Sequence, residues 1–294
     1  MLAVAGTVPD LDFPLVEGEV ERQGGHLLIA GQKTEINRGT PALLAAALAA
    51  CQTLGCAPPI AILAGDQGLG QGSRLVYRHL CLNLARARLK VLLFHYLLPD
   101  VDWHNKVLFA VEEMEKRPVL MADAGFMYAA KMSGQAPEYD LFTPDAGELA
   151  FLADEEAPHP FYTRGFILHQ DNQVPDLMAR AYQHQNAARY LLVKGEVDYL
   201  ASQGKILATV DSPREEALEA IGGTGDTLAG IVAALILSGR GIKQACTLGA
   251  VANRLAGHKA RPDPATQVAE IITHIPAALA EVLSKAQGNP PAGR

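Results

Sequence analysis

Gly222 to Gly230 reads GGTGDTLAG and stands directly before an apolar run long enough to be a helix. Glycines there let the backbone come close to a ligand. The first-turn N–H groups of a helix lack intrahelical partners, and the helix dipole adds positive potential, so the amides of Gly222, Gly223, Thr224 and Gly225 suit an anion of the phosphate type. Asp226, just inside the helix, is the one carboxylate placed to act on a hydroxyl that approaches such a phosphate. On its own, a first-turn acid does no more than complement the dipole.

Two further motifs change that balance. TPDAGELAFL (Thr143 to Leu152) passes from the end of a strand into a helix, and YLLVKG (Tyr190 to Gly195) brings Lys194 and Gly195 to the end of the next strand. Ligands of open α/β sheets lie beyond the carboxyl ends of the strands, so three polar motifs at successive strand ends can face one pocket. Singly each has a plainer explanation. Thr143 and Asp145 are candidate helix caps, Glu148 a first-turn acid and Lys194 a solvated lysine.

The elements that must position these residues follow from periodicity. Short apolar runs alternate with helix-period segments, the pattern of βαβ units around a largely parallel sheet. Expected strands are HLLIAG (26–31), PIAILAG (59–65), KVLLFHY (90–96), PVLMADAG (118–125), DLFTPD (140–145) and YLLVKG (190–195). Thr40 is the expected N-cap of a helix with Pro41 at its first position. A helix over 103–116 places Trp103, Val107, Ala110, Val111 and Met114 on one face. DYLASQG and KILATVD predict an antiparallel edge hairpin turning at Gln203-Gly204. The helix from Thr224 is apolar all round and should be buried, and Pro276 should kink or split the last helical segment.

Composition excludes several function classes. The 294 residues carry a net charge of −7, with no basic block to capture nucleic acid or an anionic membrane. Cys51, Cys56, Cys81 and Cys246 form neither a CxxC pair nor a disulfide framework and read as buried reduced thiols of a cytoplasmic protein. Met1 to Asp10 has no basic start and no long apolar run, which argues against a secretory signal. The nine histidines show no zinc-ligand spacing. GDQGLGQGS (Gly65 to Ser73) follows a strand but matches neither phosphate-loop pattern and reads as a plain loop. The expected organisation is a single domain over 1–294, with residues 1–24 as an N-terminal extension and 288–294 as a fraying tail.

With these motifs in hand, the chain resembles the ribokinase-like superfamily and within it the NAD(P)H-hydrate dehydratases. The likeness spans about His26 to Leu279 and is carried by PVLMADAG, TPDAGELAFL, LLVKG and, most specifically, GGTGDTLAGIVAALILSG. It implies a three-layer α/β/α sandwich with an antiparallel edge hairpin, and ATP or ADP bound through Lys194, Gly195, Gly222, Gly223, Thr224, Gly225 and Asn253. It further implies Asp226 as catalytic base and Mg²⁺ near Glu148 and Asp145, whose carboxylates suit a hard cation that keeps several waters. The implied reaction phosphorylates the hydroxyl of a hydrated nicotinamide ring and then eliminates phosphate.

The sequence departs from that family on the substrate side. HYLLP (95–99) replaces a glycine-rich turn, DAGE replaces HPGE, Met121 replaces the first acid of a DAD pattern, and EEALEA (215–220) replaces an Asn-Pro-Gly stretch. His95, Asp123 and Asp145 are the expected substrate-side residues. A small-molecule kinase acting on a sugar or hydroxymethyl compound is the second reading, and a nucleotide-binding relative without catalysis the third. The expected partner is a small-molecule substrate, neither nucleic acid nor membrane. Alanine-rich helices suit packing within the chain and against a second copy alike, so a homo-oligomer stays open.

Overall fold

The computed structural model describes residues 1–155, 174–263 and 265–288. All seven residues of β1 (Leu2–Val8) are buried. Leu2 and Val4 enter the core on one side of the sheet, Ala3 and Ala5 the core on the other, as the two-residue period of a doubly covered strand requires. Residues 1–24 are therefore not an extension. They supply β1, an interior strand of the parallel region, and β2 (Val16–Gln23). LAVAGTV is a continuous apolar run without alternation, which periodicity alone does not distinguish from a buried helix segment.

The remaining strands are β3 (His26–Ile29), β4 (Gln32–Glu35), β5 (Ile60–Gly65), β6 (Val91–His95), β7 (Val119–Asp123), β8 (Leu141–Phe142), β9 (Tyr190–Val193), β10 (Asp198–Ser202) and β11 (Lys205–Val210). They line up as β11-β10-β9-β8-β7-β6-β1-β5-β2-β3-β4. The strands from β9 through β5 run parallel, and both ends of the sheet are antiparallel. The edge hairpin of β10 and β11 forms as expected, its turn at Gln203 and Gly204 with φ of 52° and 73°. HLLIAG does form a strand, but it pairs antiparallel with β2 and β4 and starts no βαβ unit.

Two helical layers cover the sheet. One holds α1 (Thr40–Leu54), α7 (Thr224–Leu237), α8 (Ile242–Ala260), α9 (Val268–Ile272) and α10 (Ile275–Gly288). The other holds α2 (Gln71–Asn83), α3 (Val101–Glu112), α4 (Phe126–Met132), α5 (Ala146–Ala153) and α6 (Val174–Gln183). The expected three-layer architecture is the one observed. α1 and α7 pack so closely that a Cβ on Gly230 would lie 2.3 Å from the Leu43 carbonyl oxygen. The alanines of α1 thus serve packing within the chain. The last helical segment splits around residues 273–274, with Pro276 in the first turn of α10.

Four local expectations need correction. Thr40 is not a cap. Gly39 occupies that position and makes no side-chain cap bond, so the Thr40 hydroxyl is free for another partner. DLFTPD contributes only two residues of strand, because Thr143 to Asp145 turn into α5. The helix expected over 103–116 begins at Val101, where Asp100 caps it, and ends at Glu112. All four cysteines are unpaired, but Cys56 and Cys81 are only partly buried. The tail expected to fray lies outside the described residues, apart from Gly288.

Candidate active site

Register brings the chemical residues together. Gly6 of β1 faces His95 of β6, His95 faces Asp123 of β7, and a parallel bridge joins Asp145 to Lys194 beyond the ends of β8 and β9. Together with the start of α7, these strand ends border a cleft of about 830 Å³. Its walls include Tyr96, Asp123, Asp145, Glu148, Lys194, Gly195, Gly223, Thr224, Gly225, Asp226 and Asn253.

The glycines stand at the start of α7. Gly223 is the N-cap with φ of 99°, a conformation open to glycine and strained for other residues, and no side chain caps the helix. The first backbone bond into α7 runs from Thr227 N–H to the Gly223 carbonyl. The first-turn amides before it have no intrahelical acceptor, and Gly223, Thr224, Gly225 and Asp226 line the cleft. The Lys194 stem lies over Gly225, where an added Cβ would sit 3.4 Å from its Cδ.

Asp226 does not spend its carboxylate on capping. His95 Nε2 lies 3.1 Å from Oδ1, and the Gly39 N–H donates to Oδ2 at 2.7 Å. Burial would raise this carboxyl, but the hydrogen bond and charge of His95, the charge of Lys194 and the Gly39 amide together hold it below its ordinary value. Asp226 is therefore ionised at neutral pH.

Lys194 pairs with Asp123 at 2.7 Å, and both are largely buried. Burial would lower the ammonium pKa. The carboxylates of Asp123, Glu148 and Asp226 outweigh that and raise it. His95, Asp123 and Asp226 bring one ligand-type atom each within 4.8 Å of the others, and the Lys194 ammonium supplies the positive charge this cluster needs. One Asp123 oxygen stays buried without a hydrogen-bond partner.

Asp145 and Glu148 form a capping box at the start of α5: the Glu148 N–H donates to Asp145, and the Asp145 N–H to Glu148. Each bond engages one oxygen per carboxylate, and both residues line the cleft. Burial, then the neighbouring carboxylates against the pull of Lys194, pushes Glu148 up to about 8. Thr143, the other expected cap, is fully buried with its hydroxyl unpaired.

Two expectations on the substrate side change. His95 is fully buried behind Asp226 and meets no ligand directly. Its backbone fits there because Gly6 has no Cβ, which would lie 2.5 Å from the His95 carbonyl oxygen. Asp123 is almost equally buried, because it is bound to Lys194. Asn253 reaches the cleft wall, yet both ends of its amide brace α7: Oδ1 accepts from Thr227 Oγ1 at 2.7 Å, and Nδ2 donates to the Thr224 carbonyl at 3.1 Å.

Sequence reasoning missed several participants. Arg254 holds Asp198 at 2.7 Å and donates to the carbonyls of Gly195 and Glu196, pinning the loop that carries Lys194. Tyr96, with φ of 51°, stands over Gly39, where an added Cβ would lie 3.5 Å from its ring. No motif flags either residue. A left-handed tyrosine after a strand follows from tertiary contacts, here the Thr7 hydroxyl donating to the Tyr96 carbonyl at 2.6 Å.

Comparison with known proteins fits this geometry. A family model described as NAD(P)H-hydrate dehydratase (Carb_kinase) matches residues 80–277. The chain belongs to that family. An uncharacterized protein of Methanocaldococcus jannaschii is 42% identical over 223 residues, which cover 76% of this chain and 91% of that protein. Among solved structures, a ribokinase-like superfamily protein of Enterococcus faecalis is 17% identical with a TM-score of 0.58, covering 96% of this chain and 87% of that one. A phosphofructokinase-2 variant of Escherichia coli is 12% identical with a TM-score of 0.57, covering 95% and 99%. The pyridoxal kinase of Staphylococcus aureus in complex with ADP is 13% identical with a TM-score of 0.53, covering 86% of each chain. At these identities the structures share the fold with this dehydratase-family chain. Within the described residues, no helix is long and apolar enough to cross a membrane.

Proposed function

We propose that this chain uses ATP or ADP to phosphorylate the hydroxyl of hydrated NAD(P)H and then eliminates phosphate to regenerate the dihydropyridine. The observation that carries this reading is Asp226, ionised and fixed at the first turn of α7 beside the uncapped amides of Gly223, Thr224 and Gly225. Those amides and the Lys194 ammonium receive the nucleotide's terminal phosphates. Asp226 accepts the proton of the attacking hydroxyl as the oxygen–phosphorus bond forms and the bond to the leaving nucleotide breaks. Both Asp226 oxygens have partners, but a carboxylate offers about four lone-pair sites, so a free one remains for the substrate. Hydroxide is a poor leaving group; phosphate leaves with the help of the ring nitrogen's electron pair, and the resulting iminium loses a proton from the adjacent ring carbon to the departing phosphate or to water, restoring the dihydropyridine.

Glu148 and Asp145 fit Mg²⁺ by donor chemistry: both line the cleft, and the capping box engages one oxygen of each carboxylate. When bound there, the ion would offset phosphate charge. Asn253 and Arg254 keep the cradle and the Lys194 loop rigid, so that little reorganisation is needed during the reaction.

A second reading, a kinase for a smaller hydroxyl compound, is supported by Tyr96. It stands over Gly39 where the family resemblance leads to a glycine-rich turn. Both readings are tested by incubating the enzyme with hydrated NADH, Mg²⁺ and either nucleotide while following absorbance of the reduced ring. Recovery of absorbance supports the dehydratase. No recovery, with phosphate transferred to an alcohol panel, supports the kinase, and no turnover of any kind rejects both.

A further inference from the structure

Asp226 is held from behind by a buried chain that no substrate reaches. The Thr40 hydroxyl lies 2.9 Å from His95 Nδ1, and His95 Nε2 lies 3.1 Å from Asp226 Oδ1. His95 and Thr40 are buried, at 0% and 1% exposure, so water does not substitute for either partner. The chain spans three elements: Thr40 opens α1, His95 ends β6 and Asp226 opens α7.

The chemistry of the ring restricts its protonation. A carboxylate only accepts, so the nitrogen facing Asp226 carries hydrogen. The other nitrogen then keeps a lone pair if the ring is neutral, and the Thr40 hydroxyl is the donor that meets it.

We propose that Thr40 and His95 are positioning residues for Asp226, with the Thr40 hydroxyl pinning the His95 ring so that its Nε2–H aims the carboxylate at the substrate hydroxyl. The proposal rests on the catalytic role given to Asp226 above. During transfer the substrate proton goes to Asp226, and His95 keeps its own. The charged groups facing His95 are Asp226 from α7 and Asp123, in register on β7 with its partner Lys194, and the Tyr96 ring meets the imidazole edge-on at 4.5 Å. From β1 and α1 it meets Gly6 and Thr40.

Two measurements on the full chain test this. The first is long-range ¹⁵N–¹H NMR of histidine-labelled protein without substrate, with the His95 signal assigned through His95→Gln. It should show hydrogen on Nε2, and hydrogen on Nδ1 alone would overturn the proposal. The second is turnover of hydrated NADH with ATP and Mg²⁺. Thr40→Val and His95→Leu should lower kcat by roughly 10-fold to 100-fold, the lower part of the range for acid–base groups, with KM for ATP unchanged. Thr40→Ser should restore most of it. His95→Gln, which keeps a donor, should retain more activity than His95→Leu. Equal kcat for His95→Gln and His95→Leu would also overturn the proposal. Inactivity of the parent enzyme would instead defeat the reading of Asp226 as a base, while the NMR result still decides the tautomer.

Discussion

Lys194 and Asp123, 71 residues apart in the chain, meet at 2.7 Å beneath the cleft, with their side chains 13% and 1% exposed. The pair is what allows a carboxylate to sit at the end of β7 in the interior. It also sets the distance at which an ammonium lies over Gly225 and so beside the first turn of α7. A lysine whose plainer sequence reading is a solvated side chain is here a buried counter-ion, set beside the amides proposed to receive phosphate.

Removing one partner of such a pair leaves an uncompensated buried charge. Lys194→Met should destabilise the fold by about 3–5 kcal/mol, and Lys194→Met with Asp123→Asn should recover a large part of that. Urea titrations of the four members of the cycle would measure it. Additive losses would mean that the two side chains do not depend on each other.

Asp226→Asn keeps the shape and removes the base. Turnover should fall by roughly 10²-fold to 10⁴-fold, while ADP still raises the melting temperature, because the amides of Gly223 to Gly225 are untouched. Loss of the thermal shift together with activity would point to a binding role for Asp226.

Glu148→Gln keeps one oxygen acceptor for the Asp145 N–H and removes the carboxyl that could ionise beside a bound Mg²⁺. The Mg²⁺ concentration for half-maximal turnover should rise about tenfold, equivalent to about 1.4 kcal/mol, with ADP binding in the absence of Mg²⁺ unchanged. An unaltered Mg²⁺ requirement would remove Glu148 from that role.

The legible parts of this protein were those where chemistry and backbone coincide. GGTGD announced the start of a helix, and the edge hairpin was written in its Gln-Gly turn. The three-layer architecture followed from alternating elements. What stayed hidden depends on contacts distant in sequence. Thr40 looks like a cap because a threonine before Pro41 commonly is one, yet its hydroxyl goes to His95, 55 residues away. β1 carries no polar alternation because both of its faces are buried. Tyr96 and Arg254 act through partners that only the assembled sheet brings near.

The glycine-rich loop after β5 shows the same limit and yields a prediction. Asp66 fills it. Its Oδ1 accepts from the amides of Gly68, Leu69 and Gly70, and its Oδ2 from the Ser73 amide and hydroxyl, all between 2.8 and 3.0 Å. The loop binds its own carboxylate, and no external phosphate is needed there. Asp66→Ala should cost roughly 3 kcal/mol by leaving these donors unpaired, with ADP affinity unchanged. Burial would raise the Asp66 carboxyl, but the bonds from Ser73, Gly70 and Gly68 prevail and lower it. Its stabilisation is therefore full above the ordinary carboxylate range and is lost as pH falls through its depressed value. Acid unfolding of Asp66→Ala should show a smaller dependence on pH below about 4 than the parent.

Gly6 carries the last prediction. It is the β1 residue in register with His95, and a Cβ there would lie 2.5 Å from the His95 carbonyl oxygen and 2.9 Å from Thr40 Cγ2. The first contact is with backbone, so the strain must be relieved by moving β6 or α1 and not by turning a side chain. Both hold members of the chain behind Asp226. Gly6→Ala should therefore cost about 1–3 kcal/mol in stability, the usual range for overpacking. It should also lower kcat at temperatures where the variant is fully folded, with KM for the nucleotide little changed. Stability is read by denaturant unfolding and kcat by the hydrated-NADH assay. Lost stability with full activity would show that β1 can shift without carrying His95 and Thr40 with it.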